Sequence, residues 1–90
     1  MNKMTKQEFK DGAEMLMMAY PSWNGKLNEK ETAKFWYDRL STRIEKGTFK
    51  NIINKYVENE SRYPTIAGVL EVGKKYGYIR PLTNGQSNFL

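Results

Sequence analysis

The chain contains neither cysteine nor histidine. Without cysteine there is no disulfide and no thiolate site, which agrees with a reducing compartment. Without histidine, the commonest general base and the usual zinc ligand are missing as well. Nor does any apolar run approach the roughly 20 residues needed to span a bilayer. The start, Met1-Asn2-Lys3-Met4-Thr5, passes into a polar amphipathic stretch rather than a signal-peptide apolar region. These absences lead to the expectation of a cytosolic chain with no membrane-spanning segment.

The residues that remain offer catalysis little support. Ser22, Ser41, Ser61 and Ser87 would each need a lysine or carboxylate base, and none stands in a recognisable motif. Glu58 and Glu60 would point about 200° apart on a helix, so they do not form a paired acid and base. Asn24-Gly25 and Gly73-Lys74-Lys75 lack the second glycine and the Ser/Thr of a phosphate-binding loop. The expectation is therefore a protein that is not an enzyme and carries no cofactor and no metal.

What is present fits one small helical domain. Ninety residues with 39% apolar and 13% aromatic content suffice for one core and leave no room for a second. Thr5-Lys6-Gln7-Glu8 has the form of a capping box, with Met4 and Phe9 at the hydrophobic-staple positions. Phe9, Ala13, Leu16, Met17 and Tyr20 come next at helical spacing and Pro21 ends the pattern, which predicts a first helix over residues 6–20. In the loop Pro21-Ser22-Trp23-Asn24-Gly25, Trp23 is expected to fold back onto the core. Asn28 with Glu31 is a weaker capping pair for a second helix, with Ala33, Trp36, Tyr37, Leu40 and Ile44 along one face, fading between Arg43 and Gly47. Thr48 can cap a third helix with the ladder Phe49, Ile52, Ile53, Tyr56 and Val57. Then Tyr63-Pro64-Thr65 turns a corner, because proline biases Tyr63 toward extended backbone and Thr65 can cap a new helix. That fourth helix places Ile66, Val69, Leu70 and Gly73 inward, the glycine permitting close approach of a neighbour. From Tyr76 the periodicity is lost. The predicted fold is all-α, a small bundle of about four short helices over residues 1–75 with a mobile C-terminal tail over 76–90.

Several side chains are set apart from this core pattern. At 100° per residue, Met15 and Met18 fall almost opposite the first helix's stripe, beside Asp11 and Glu14. Exposed as a pair they suit adaptable protein contacts, and the alternative is a cover supplied by the fourth helix or the tail. Phe35 lies opposite the second helix's stripe, one turn before Arg39, as in an interface hot spot or in a central helix buried on two sides. In the tail, Tyr78, Ile79 and Phe89 are apolar groups without a core pattern, able to fold onto a partner or onto the chain's own body. The net charge of +5 permits acidic partners, nucleic acid included. Arg39, Arg43, Lys46 and Lys50 would form one basic stripe for phosphates only if the helix ran unbroken through Gly47. No recognition motif accompanies them, so a solvated face is the favoured reading and direct nucleic-acid binding is not expected.

Met4-Thr5-Lys6-Gln7-Glu8-Phe9, Tyr20-Pro21, Trp36-Tyr37-Asp38-Arg39-Leu40, Tyr56-Val57 and Tyr63-Pro64-Thr65-Ile66-Ala67, in that order, resemble the N-terminal domain of the phage replicative-helicase loader and inhibitor family. The likeness covers about residues 4–72. It implies a small helical phage protein without ATPase activity, working in the cytoplasm of the bacterial host. Such a protein binds the hexameric replicative helicase, holds it inactive and helps deliver it to an origin-bound initiator. The resemblance further implies a helical scaffold, a C-terminal part that makes the main helicase contact, and no catalytic residues. The chain departs from that pattern in its tail, which is short and carries Lys74, Lys75 and Arg80 but no acid after Glu71. The expected function is a non-enzymatic adaptor that loads or inhibits the helicase, with Tyr78, Ile79 and Phe89 as anchors assisted by Met15, Met18, Phe35 and Arg39. The alternatives are a small DNA-binding module using Arg39, Arg43, Lys46 and Lys50, and a phage-encoded inhibitor of another host enzyme such as a nuclease.

Overall fold

Thr5 and Glu8 start the first helix reciprocally: the Glu8 amide donates to the Thr5 hydroxyl at 3.1 Å, and the Thr5 amide donates to the Glu8 carboxylate at 2.8 Å. In this computed structural model, which describes residues 3–79, α1 spans Lys6–Ala19. Met4 and Phe9, the staple pair, are both buried. Three more helices complete the body: α2 Lys30–Ser41, α3 Phe49–Asn59 and α4 Ile66–Lys75. The all-α expectation holds, and there is no strand among the described residues; one isolated bridge pairs Lys3 with Glu45, where the Met4 amide donates to the Ile44 carbonyl at 3.0 Å.

The ladder on α3 is the centre of the molecule. Phe49, Ile52, Ile53 and Tyr56 are all at most 1% exposed, because α1 packs on one side of this helix and α4 on the other. Phe49 stacks on Phe9 of α1 with ring centres 5.7 Å apart. Leu16, Leu40, Ile44 and Val69 belong to the same buried cluster. Burying side chains of this size contributes about 1.5–3 kcal/mol each, the main favourable term for so small a domain.

The corner after α3 is held by tyrosines. The Tyr56 hydroxyl donates to the Arg62 and Tyr63 carbonyls at 3.3 and 3.2 Å, and the Tyr20 hydroxyl donates to the Glu60 carbonyl at 2.7 Å. The Tyr20 ring meets Tyr56 and Tyr63 edge-on at 6.2 and 6.3 Å. Burial pushes both the Tyr20 and the Tyr56 phenol above the ordinary value. Thr65 then caps α4, accepting from the Gly68 amide at 2.9 Å. Tyr20, Tyr56, Tyr63 and Thr65 together brace one joint.

Four expectations need correction. Asn28 and Glu31 do not cap α2: the Glu29 amide donates to the Lys26 carbonyl at 2.9 Å, so Asn28 is held inside a turn, and Glu29 becomes the N-cap with no side-chain bond. Thr48 occupies the N-cap of α3 but its side chain makes no capping bond either, since its own backbone is already helical (φ −107°, ψ −26°). Met15 is not exposed but half-buried against the core. The cause is Gly12, which is buried under the Phe49 ring and extends the packed arc of α1 toward Met15.

The fourth correction concerns the boundary of the tail. The chain reverses at Gly77 (φ +80°), a left-handed conformation that glycine adopts without steric penalty. The Tyr78 and Ile79 amides then both donate to the Gly73 carbonyl, at 2.8 and 3.1 Å. Ile79 is 4% exposed and lies over Gly73, where a Cβ would come within 2.8 Å of its Cγ1. Residues 76–79 thus belong to the folded body. Ile79 is a core residue and not a free anchor, and Tyr78 packs half-buried beside it. Phe89 and the rest of the expected tail, 80–90, lie outside the described residues.

Candidate functional site

Two solvent-facing apolar surfaces meet on α2. The helix is held by α4 and by its own C-terminal end, where Leu40 is fully buried, and it does not pack closely along α1. The side away from the core carries Phe35, which stays 52% exposed. The Arg39 guanidinium lies over its ring, 4.2 Å from the centre. Such a pair at an exposed site is worth about 0.5–1 kcal/mol, and it fixes two long side chains against each other. Met18, 74% exposed near the end of α1, is the most exposed large apolar residue among those described.

The other surface is a groove of about 560 Å³ between α1 and α2. Phe9, Ala13 and Met17 of α1 face Ala33 and Tyr37 of α2 across it, and Leu27 closes one end. Tyr37 is locked in place: its hydroxyl donates to the Met4 carbonyl at 2.8 Å and its ring meets Phe9 edge-on at 6.0 Å. The rim carries Lys6, Lys10, Lys30 and Lys34 against two acids, Glu14 and Asp38. Asp38 is already engaged by Lys34 at 2.8 Å, a bond that holds its carboxyl below the usual range, with the charges of Lys34, Arg39 and Lys3 acting in the same direction. Among the described residues Lys6, Lys10 and Lys30 form no ion pair.

Sequence reasoning finds the Phe35–Arg39 pair and Met18, and it misses the groove. It places Phe9, Ala13, Met17, Ala33 and Tyr37 in a closed core, because periodicity reports which side chains share a face and not how far apart two faces lie. The one signal in the chain is the pairing of Lys6 with Lys10 and of Lys30 with Lys34, four residues apart beside those apolar positions. Trp23 does fold back, packing on the core with its ring edge-on to Trp36 at 6.0 Å.

The basic stripe does not form as one helical surface. α2 ends at Ser41, Arg43 and Lys46 lie in the link, Gly47 has φ +85°, and Lys50 stands on α3. Arg39 is the one member on α2, and its guanidinium is committed to Phe35.

The arrangement is that of a small helical protein presenting a stacked aromatic-arginine pair and a lysine-rimmed apolar groove on two sides of one helix. No protein-family model, curated protein or solved structure matches the chain.

Proposed function

We propose that the chain is a non-enzymatic phage adaptor that binds the hexameric replicative helicase of the bacterial host and loads it or holds it inactive during DNA replication. The observation that carries this reading is the exposed Phe35–Arg39 stack on the outer face of α2. Aromatic and arginine side chains dominate the energetics of protein interfaces, and this pair is preorganised, so little rotamer entropy is lost when a partner covers it. Met18 adds a flexible thioether exposed elsewhere on the body. The ordered motifs from Met4 to Ala67 that resemble the helicase-loader family direct the choice of partner.

Binding would favour one arrangement of the helicase subunits, and the shift can be no larger than the adaptor's differential affinity for the two arrangements. Nucleotide is bound by the helicase alone in this scheme. Co-migration with the purified host helicase on a sizing column, with and without ATP, tests it. A complex that weakens at least tenfold in Phe35→Ala and Arg39→Ala supports the reading. Absence of a complex in both nucleotide conditions rejects it.

A further inference from the structure

Lysines around the groove are placed against local helix electrostatics. Lys6 and Lys30 are each the first residue of their helix, where the macrodipole disfavours a cation. Lys6 repels Lys10, and Lys30 repels Lys34, each pair four residues apart on one helix face, an arrangement that costs about 0.2–0.5 kcal/mol. All four line the same apolar groove. A positive rim over an apolar floor has a complement of definite chemistry: apolar side chains flanked by carboxylates.

We propose that the groove between α1 and α2 is a second docking site, built to take an acidic amphipathic helix of another protein. The α1 wall runs from Lys6 to Met17, about 17 Å at 1.5 Å per residue, long enough for three turns of a bound helix. Such a helix would set its apolar stripe on Phe9, Ala13 and Met17 and its acidic flanks against the two lysine pairs, the helix-in-groove mode of recognition. The chain's own segment 80–90 does not complement the rim, because it contains Arg80 and no Asp or Glu. A second copy is disfavoured by a net charge of +5 on each chain. Nucleic acid would meet the lysines but would leave the apolar floor uncovered.

This site is independent of the helicase reading. Phe35 and Arg39 point about 150° away from the apolar groove residues of α2 at 100° per residue, so one chain can engage both partners at once. An adaptor that joins two proteins needs such a pair of surfaces.

The test uses the full chain and three labelled synthetic peptides in fluorescence anisotropy. One is an amphipathic helix with Leu at helical spacing and Glu on both flanks, one replaces each Glu by Lys, and one scrambles the order of the first. The expected result is saturable binding of the acidic helix alone, weakened at least tenfold by Lys10→Glu together with Lys30→Glu and unchanged by Phe35→Ala. Thermal melts of the charge-reversed variant, whose substituted side chains are exposed, show whether it stays folded. Equal binding of the scrambled peptide, displacement by duplex DNA at matched salt, or a dimer that dissociates when the peptide binds would overturn the proposal. So would the lack of saturable binding of the acidic helix at millimolar concentration. Loss of helicase binding in Phe35→Ala with peptide binding intact would separate the two surfaces.

Discussion

Gly73→Ala should change sign with the residue at position 79. In the native chain the new methyl would come within 2.8 Å of Ile79 Cγ1 and 3.2 Å of Ile52 Cδ1. Overpacking of that kind costs about 1–3 kcal/mol. Against it stands the higher helix propensity of alanine, worth about 1 kcal/mol at an interior position. The net expectation is a loss of up to about 2 kcal/mol. Ile79→Ala alone removes three buried carbons at about 0.8 kcal/mol each, a loss of about 2.4 kcal/mol. For a domain of this size that corresponds to a drop in Tm of about 10–20 °C. In the Ile79→Ala background the clash is gone, so Gly73→Ala should stabilise by about 0.5–1 kcal/mol, leaving Ile52 to yield a few tenths of an ångström. Urea titrations of the four chains, monitored by circular dichroism, complete the cycle. Additive effects, with Gly73→Ala stabilising by the same amount in both backgrounds, would mean that residues 76–79 do not pack on α4 and that the folded body ends before them.

Tyr56→Phe should cost about 1 kcal/mol, because it deletes the hydroxyl that bonds two carbonyls at the corner while the ring stays in place; a urea midpoint equal to the native one would refute the bracing role. The same phenol makes stability fall in alkali: its folded-state pKa is raised by burial, so the unfolded chain ionises first, and the contribution is whole below pH of about 10 and lost as pH rises through the folded value. The slope of unfolding free energy against pH above that point should be shallower in Tyr56→Phe. Thr65→Ala should lose about 1 kcal/mol with its cap, whereas Asn28→Ala should stay within about 0.5 kcal/mol, and equal effects in thermal melts would contradict the assigned caps. Phe35→Ala and Arg39→Ala should each alter stability by no more than about 1 kcal/mol while weakening helicase binding in the sizing experiment.

The features legible in the sequence are the local ones. The box at Thr5 and Glu8 closes within three residues, and the cap at Thr65 needs only the proline before it and the amide three residues on. The ladder on α3 is legible because its inward positions are all apolar or aromatic, at the spacing of one helix face. Asn28 fails as a cap although its spacing to Glu31 is right, since the turn from Lys26 to Glu29 already uses that stretch of backbone. Gly12 has no side chain to register in an apolar pattern, so the arc it opens for Phe49, and with it the half-burial of Met15, leaves no trace. Ile79 escapes for a related reason: a left-handed glycine resets the periodicity just before it. The groove is illegible because it is a property of the distance between α1 and α2, which long-range packing sets.

The lysine pairs are tolerable within this structure because their penalty is small beside the packing terms. Each like-charged pair costs about 0.2–0.5 kcal/mol, while a single inward residue such as Ile79 supplies about 2.4 kcal/mol. Elsewhere, Lys74 and Lys75 stand where helix electrostatics favour a cation, in the last turn of α4. A closed contact between α1 and α2 would have recovered more, since Met17, Ala33 and Tyr37 are apolar and only half-buried. The body therefore forgoes apolar burial and accepts charge repulsion at the same place. A partner helix that brings both apolar side chains and carboxylates would restore both terms together, which is why charge reversal at Lys10 and Lys30 should weaken its binding without weakening the fold.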